Sequence, residues 1–151
     1  IDDAIIDLFR EKRQMDIGKA TAEEIKNNLL SLRVKDAENS MNVDGRDLVS
    51  AAPKSVDIKS KDLVECIMPY ADEIVNMIYE VLEKIPPELT ADIKKDGFAL
   101  SGGLSQVRGL REYVENKLHL TSYTSDDPQT DAILGAGQIL DDPDRFFKYR
   151  K

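Results

Sequence analysis

Three observations predict a mixed α/β fold. Phe98-Ala99-Leu100-Ser101 is a short apolar run that ends in Gly102-Gly103, and Val107, Leu110, Val114 and Leu118 follow at helical spacing. Met41 and Val43 alternate with polar neighbours, as do Val56 and Ile58, which is the period of half-buried strands. From Leu63 to Ile85, apolar residues step by threes and fours, the mark of a long amphipathic helix. A strand, paired glycines and a helix in that order bring bare backbone close to a ligand, because glycine has no Cβ and a helix start offers free N–H groups. By itself the glycine pair fits a plain tight turn equally well.

Taken in order, residues 2–16 read as a helix through Ala4, Ile5, Leu8 and Phe9, and Gly18 ends it. Thr21 then reads as an N-cap, with Glu24 completing a capping box and Ala20 and Ile25 at the staple positions. The helix from Ala22 to Leu32 carries Ile25, Leu29 and Leu32 on one face. Glu23 and Lys26 are three apart and share a face, which spacing alone explains as a solvated ion pair. The alternating pattern within residues 39–59 predicts a small sheet, with Gly45-Arg46-Asp47 as its turn and Pro53 as a break or an edge.

Ser60 reads as the cap of the helix at 61–85, which Pro86-Pro87 stops; Pro87 opens a short helix in the tolerated first turn. Strands are predicted at 98–101 and 121–125, the latter short, polar and at a sheet edge. Asp127 followed by Pro128 reads as an N-cap and first helical residue for a helix at 128–140. Gly135 and Gly137 lie inside that helix, where each costs about 1 kcal/mol, so close helix packing is expected to compensate. Gly135-Ala136-Gly137 is no dinucleotide loop, because no strand leads into it. The tail from Arg145 to Lys151 is basic and aromatic and reads as a frayed terminus. No internal repeat is present.

The 151 residues suffice for one domain with a modest core. The chain opens on Ile1, not Met, and already in helical pattern, so an earlier part is expected to be missing from view. No run approaches the ~20 apolar residues that span a bilayer, and no signal peptide is visible. A net charge of −8 argues against a nucleic-acid binder, which needs a basic footprint. The single Cys66 excludes an intrachain disulfide and a cysteine-built zinc site, and reads as buried filler. His119 is the only histidine and reads as a surface or helix-end residue, with no nucleophile beside it.

Further matches carry a family resemblance. Thr21-Ala22-Glu23-Glu24-Ile25-Lys26, Gly45-Arg46-Asp47-Leu48, Pro86-Pro87-Glu88-Leu89, Ser101-Gly102-Gly103 with Arg108, Asp127-Pro128 and Gly135-Ala136-Gly137 occur in this order. Over about residues 1–140 the chain resembles the C-terminal half of the MreB family of bacterial actin homologues, within the wider actin and heat-shock ATPase superfamily. The resemblance implies an actin-like, RNase H-like half-domain, residues 1–17 and 60–140, with a small inserted subdomain at 18–59 and a tail at 141–151.

It further implies ATP or ADP with Mg as the cofactor of the complete protein. The adenosine end would meet Glu23, Lys26, Gly102, Gly103 and Leu104. Leu104 departs from the family, which usually has a third glycine there. The phosphate loops and water-positioning groups of the family match nothing in this chain. No catalytic and no metal-binding residue is therefore assigned, and the chain alone is expected to be inactive, although the family is a slow ATPase. Self-association into filaments and contacts with other cell-shape proteins are implied, in the cytoplasm or at the inner face of the membrane, with any membrane contact made by segments outside this chain. Two other readings stand beside this one: the same half of a chaperone-like or assembly-factor ATPase, and an interaction module without nucleotide chemistry.

Overall fold

The computed structural model describes residues 1–143. Helix α1 (Asp2–Arg13) turns Ile5, Ile6, Leu8 and Phe9 inward, the i, i+3, i+4 stripe of an amphipathic helix. Gln14 closes it in the left-handed region with φ 50°, its N–H donating to the Phe9 carbonyl. The chain then enters β1 (Met15–Asp16), and helix α2 follows (Lys19–Leu29). Strands β2 (Ser40–Asp47) and β3 (Pro53–Lys59) form an antiparallel hairpin in which Met41 faces Ile58 and Val43 faces Val56. β1 pairs with the far end of β2, giving a three-stranded sheet of order β1-β2-β3.

Helix α3 (Ser60–Lys84) starts directly from β3. Its first turns deliver Leu63, Cys66 and Ile67 to a core shared with α1, Met15, Ile25, Leu29, Val43 and Ile58. Further along, Ala71 and Val75 meet Leu110, Val114 and Leu118 of helix α5 (Leu110–Leu118) in a second cluster. Leu32, Leu104 and Val107 pack against both clusters and join them. Between α3 and α5 lie α4 (Pro87–Asp96) and strand β4 (Phe98–Ala99). β4 pairs in parallel with β5 (Ser122–Tyr123), and α5 forms part of the crossover that parallel pairing requires. Helix α6 (Asp131–Asp141) ends the described chain and buries none of its residues there.

The small sheet within 39–59, the long helix, the proline-stopped boundary at 85–87 and the presence of two short C-terminal strands stand as the sequence predicts; the parallel pairing of those two strands is added by the structure. Several boundaries differ. α1 ends at Arg13, because Met15 is wholly buried and pairs with Asp47. The Thr21 capping box does not form: α2 begins at Lys19 with Gly18 at its N-cap, which places Thr21 inside the first turn. α2 ends at Leu29 rather than Leu32, because Ser31 leaves to bridge with Arg108. Gly45-Arg46-Asp47 is strand rather than turn, and the reversal lies at 48–52. Gly45 is where β1 crosses closely: a Cβ there would stand 2.6 Å from the Asp16 carbonyl oxygen.

At α3 the N-cap is Lys59, whose N–H donates to the Asp62 carboxylate at 3.3 Å, and Ser60 is the first helical residue. β4 and β5 are two residues each, shorter than predicted. The helix expected directly behind the glycine pair is displaced: a 3-10 turn (Gly103–Gln106) comes first, and α5 starts only after Gly109. α6 begins at Asp131 rather than Pro128, since the Asp127 carbonyl and carboxylate hold the Thr130 hydroxyl at 3.1 and 3.0 Å in a preceding turn. No close packing compensates Gly135 and Gly137 among the described residues, because a Cβ at either would meet open space. The basic aromatic tail from Arg145 lies outside the described residues.

Candidate functional site

A cleft of about 930 Å³ opens between α2 and the segment that follows the glycine pair. α2 contributes Glu23, Lys26 and Asn27; the other side is built from Gly103, Leu104, Gln106, Val107 and Arg108, joined by Gln129. Asp2 and Tyr70, from α1 and α3, line it as well.

Each side is placed by packing behind it. Ala22, Ile25 and Leu29 are buried on the inner face of α2, so Glu23 and Lys26, one turn apart, are left toward the cleft. The Lys26 ammonium lies 2.8 Å from an Asp2 carboxylate oxygen, with both side chains half-buried. On the other side, Leu104 and Val107 anchor the 3-10 turn in both hydrophobic clusters. The glycine pair is tied to the loop before α6: the Gly102 N–H and the Ser101 hydroxyl donate to the Pro128 carbonyl at 2.8 and 3.2 Å. Ser105 caps the turn by donating its hydroxyl to the Gly102 carbonyl at 2.7 Å.

The two sides are stitched together at their base. The Leu32 N–H donates to the Arg108 carbonyl at 2.7 Å, and the Arg108 guanidinium donates to the Asn28 carbonyl at 2.9 Å. Gly109 makes this approach feasible. It has φ +87°, and a Cβ there would sit 2.9 Å from the Arg33 nitrogen and the Leu32 carbonyl carbon.

Of the residues singled out in the sequence, Glu23, Lys26, Gly103 and Leu104 line one cleft. Gly102 does not line it; it sits behind with φ +85°, turning the chain from β4 into the 3-10 turn. Leu104 lines the cleft while packing against both clusters. Asp2, Tyr70, Gln106 and Gln129 escaped sequence reasoning. Gln106 stands three residues after Gly103, and its proximity to the glycine pair is the signal that marks it. Gln129 was hidden by reading Asp127-Pro128 as a helix start.

The cleft offers a carboxylate, an ammonium, amide side chains and bare backbone. Carboxylates of that kind can accept from hydroxyl groups, and the lining residues include no nucleophile–base pair. The Cys66 thiol is buried elsewhere, burial pushing it up to about 11, and its Sγ donates to the Ala4 carbonyl at 3.5 Å. His119 is exposed at the left-handed C-cap of α5. Among the described residues no cluster of His, Cys, Asp and Glu could hold a metal ion. No described helix is long and apolar enough to cross a membrane.

Comparison with known proteins matches residues 1–148 to the family model described as MreB/Mbl protein. The cell shape-determining protein Mbl of Bacillus subtilis is 29% identical over 144 residues, 95% of this chain and 43% of that protein. The cell shape-determining protein MreB of Escherichia coli K12 is 31% identical over 140 residues, 93% of this chain and 40% of that protein. The chain thus spans about two fifths of the length of these relatives. The crystal structure of MreB 5 of Spiroplasma citri bound to AMPPNP superposes with a TM-score of 0.87 at 29% identity, over 99% of this chain and 45% of that one; the same protein is also solved bound to ADP.

Proposed function

The chain belongs to the MreB/Mbl family, and from that premise we propose that it is the adenosine-holding part of an ATP-binding, actin-like filament protein that determines bacterial cell shape. The observation that carries the reading is the cleft, in which Glu23 and Lys26 of α2 meet Gly103 and Leu104 of the 3-10 turn. The Spiroplasma relative, solved with AMPPNP and with ADP, supports it. In this reading residues 18–59 act as the small inserted subdomain and residues 1–17 and 60–140 as the RNase H-like body.

The residues fit the group. The Glu23 carboxylate accepts from ribose hydroxyls, and Lys26, steadied by Asp2, donates beside it. Gly103 lets backbone approach the adenosine, and Gly102 supplies the positive φ that aims the turn. Leu104, in place of a third glycine, adds an apolar contact without closing the cleft. ATP supplies the phosphoanhydride; Mg and the phosphates are held by parts of the complete protein other than residues 1–151. Phosphoryl transfer depends on positioning and charge neutralisation at the phosphates, so residues 1–151 alone are expected to release no phosphate above a buffer control.

Calorimetric titration of ATP into the complete natural protein tests the assignment. Lys26→Ala is expected to weaken binding roughly tenfold, the scale of one charge-assisted hydrogen bond. Gly103→Val is expected to weaken it further by blocking backbone approach. A folded Gly103→Val variant with unchanged affinity would remove the glycine turn from the site.

A further inference from the structure

The Gln129 amide N–H donates to the Gln106 side-chain carbonyl at 3.0 Å, and both residues are exposed on the rim of the cleft. Neither glutamine is loosely placed. Gln106 ends the 3-10 turn anchored by Leu104 and Val107, and Gln129 follows buried Pro128, whose carbonyl receives the Gly102 N–H and the Ser101 hydroxyl. Gln129 also packs over the glycine turn, its Nε2 being the atom that a Cβ at Gly103 would approach to 3.3 Å.

The single bond between the amides consumes one donor and one acceptor. It leaves the Gln129 carbonyl oxygen and the Gln106 NH2 group without a protein partner among the described residues, on the rim of the cleft. If both amides turn together, the bond reverses and the pair still presents one acceptor and one donor. We propose that the Gln106–Gln129 amide pair reads the N6/N7 edge of an adenine base and so sets the base preference of the nucleotide site. This rests on the nucleotide reading of the cleft.

The chemistry separates the purines. Adenine presents a donor at N6 and an acceptor at N7, which the pair matches. Guanine presents two acceptors, O6 and N7, along the same edge, and hypoxanthine shares that pattern. Against either, the carbonyl of the pair meets O6 with no hydrogen between them. A well-placed bidentate amide discriminates bases by roughly ten- to a hundredfold.

The test is titration of ATP and of ITP into the complete natural protein, then into Gln106→Leu, Gln129→Leu and the double variant. Both positions are exposed, so circular dichroism should show each variant folded. The expected result is an ATP-over-ITP preference of about tenfold or more in the natural protein, falling toward unity in the double variant, mainly through loss of ATP affinity. An unchanged ratio in a folded double variant that still binds ATP overturns the base-reading role alone. Failure of the natural protein to bind either nucleotide overturns the reading of the cleft, and this inference with it.

Discussion

The N-terminal and C-terminal regions of this chain use similar elements to opposite effect. Around α1, the three-stranded sheet, α2 and the start of α3, apolar side chains close on one another; Ile5, Phe9, Met15, Ile25, Ile58 and Leu63 have no accessible surface. Around the end of α3, α4, β4, β5 and α6 they do not. Ile133, Leu134 and Leu140 of α6 are 70%, 60% and 80% exposed. Ile74, Ile78, Leu82, Ile93, Phe98 and Leu120 line an open apolar groove of about 370 Å³. The sheets explain the difference. Seven residue pairs of register hold β2 to β3, whereas two hold β4 to β5. A two-stranded sheet gives α3 and α6 too little surface to cover, and its edges lack a third strand among the described residues.

The strongest way to break the comparison is Phe9→Ala. Removing this wholly buried ring is expected to cost about 3–5 kcal/mol, measured by urea unfolding of residues 1–151; a loss near zero would show that the N-terminal core is not the stabilising unit. Gly109→Ala comes next. It places a Cβ against the backbone of Leu32 and Arg33 at positive φ, and such strain costs about 1–3 kcal/mol. Light scattering over a wide concentration range should show residues 1–151 associating through the open groove and strand edge. A stable monomer would mean that the helices alone close the core. Ile133→Ser in α6 is expected to change stability by no more than about 0.5 kcal/mol, as at other exposed sites; a larger loss would reveal a cover on α6.

The smallest expected effect is electrostatic. Hydrogen bonds from Lys59 and Lys61 hold the Glu38 carboxyl down to about 2 from its ordinary 4.5. Its contribution is therefore complete above the ordinary value and is lost as pH falls toward 2. Glu38→Gln should lower neutral-pH stability only slightly, because the pair is exposed, and flatten the acid side of the stability profile between those values by the same small amount. Asp47 behaves in the same sense, held well below the usual carboxylate range first by Lys54 and then by the Ser50 and Val49 N–H groups.

How far the fold is legible follows the same division. α3, α4 and the hairpin are written in local pattern: an apolar stripe, a Pro-Pro stop, alternation. The places where reading fails are set by distant partners. Arg13-Gln14-Met15 has no helix breaker, yet Met15 must leave α1 to pair with Asp47. Ser31 leaves α2 to meet Arg108, 77 positions away. In the site, spacing alone left Glu23 and Lys26 as an ordinary ion pair, and only family resemblance set them beside the glycine turn. The partner that Lys26 does have, Asp2, comes from another helix, and no helix-face argument could supply it.

The Ser31–Arg108 bridge has a mechanical consequence. A pair of jaws pinned at the back cannot slide apart; its mouth changes only by flexing α2 or the short turn opposite. The pin sits where Leu32, Leu104 and Val107 join the two hydrophobic clusters, so pulling it out means prying the molecule in two. The floor of the cleft is therefore tied to the same packing that holds the two clusters together. The Leu32 amide at this junction should accordingly exchange its hydrogen only when the whole molecule opens, which hydrogen exchange measures.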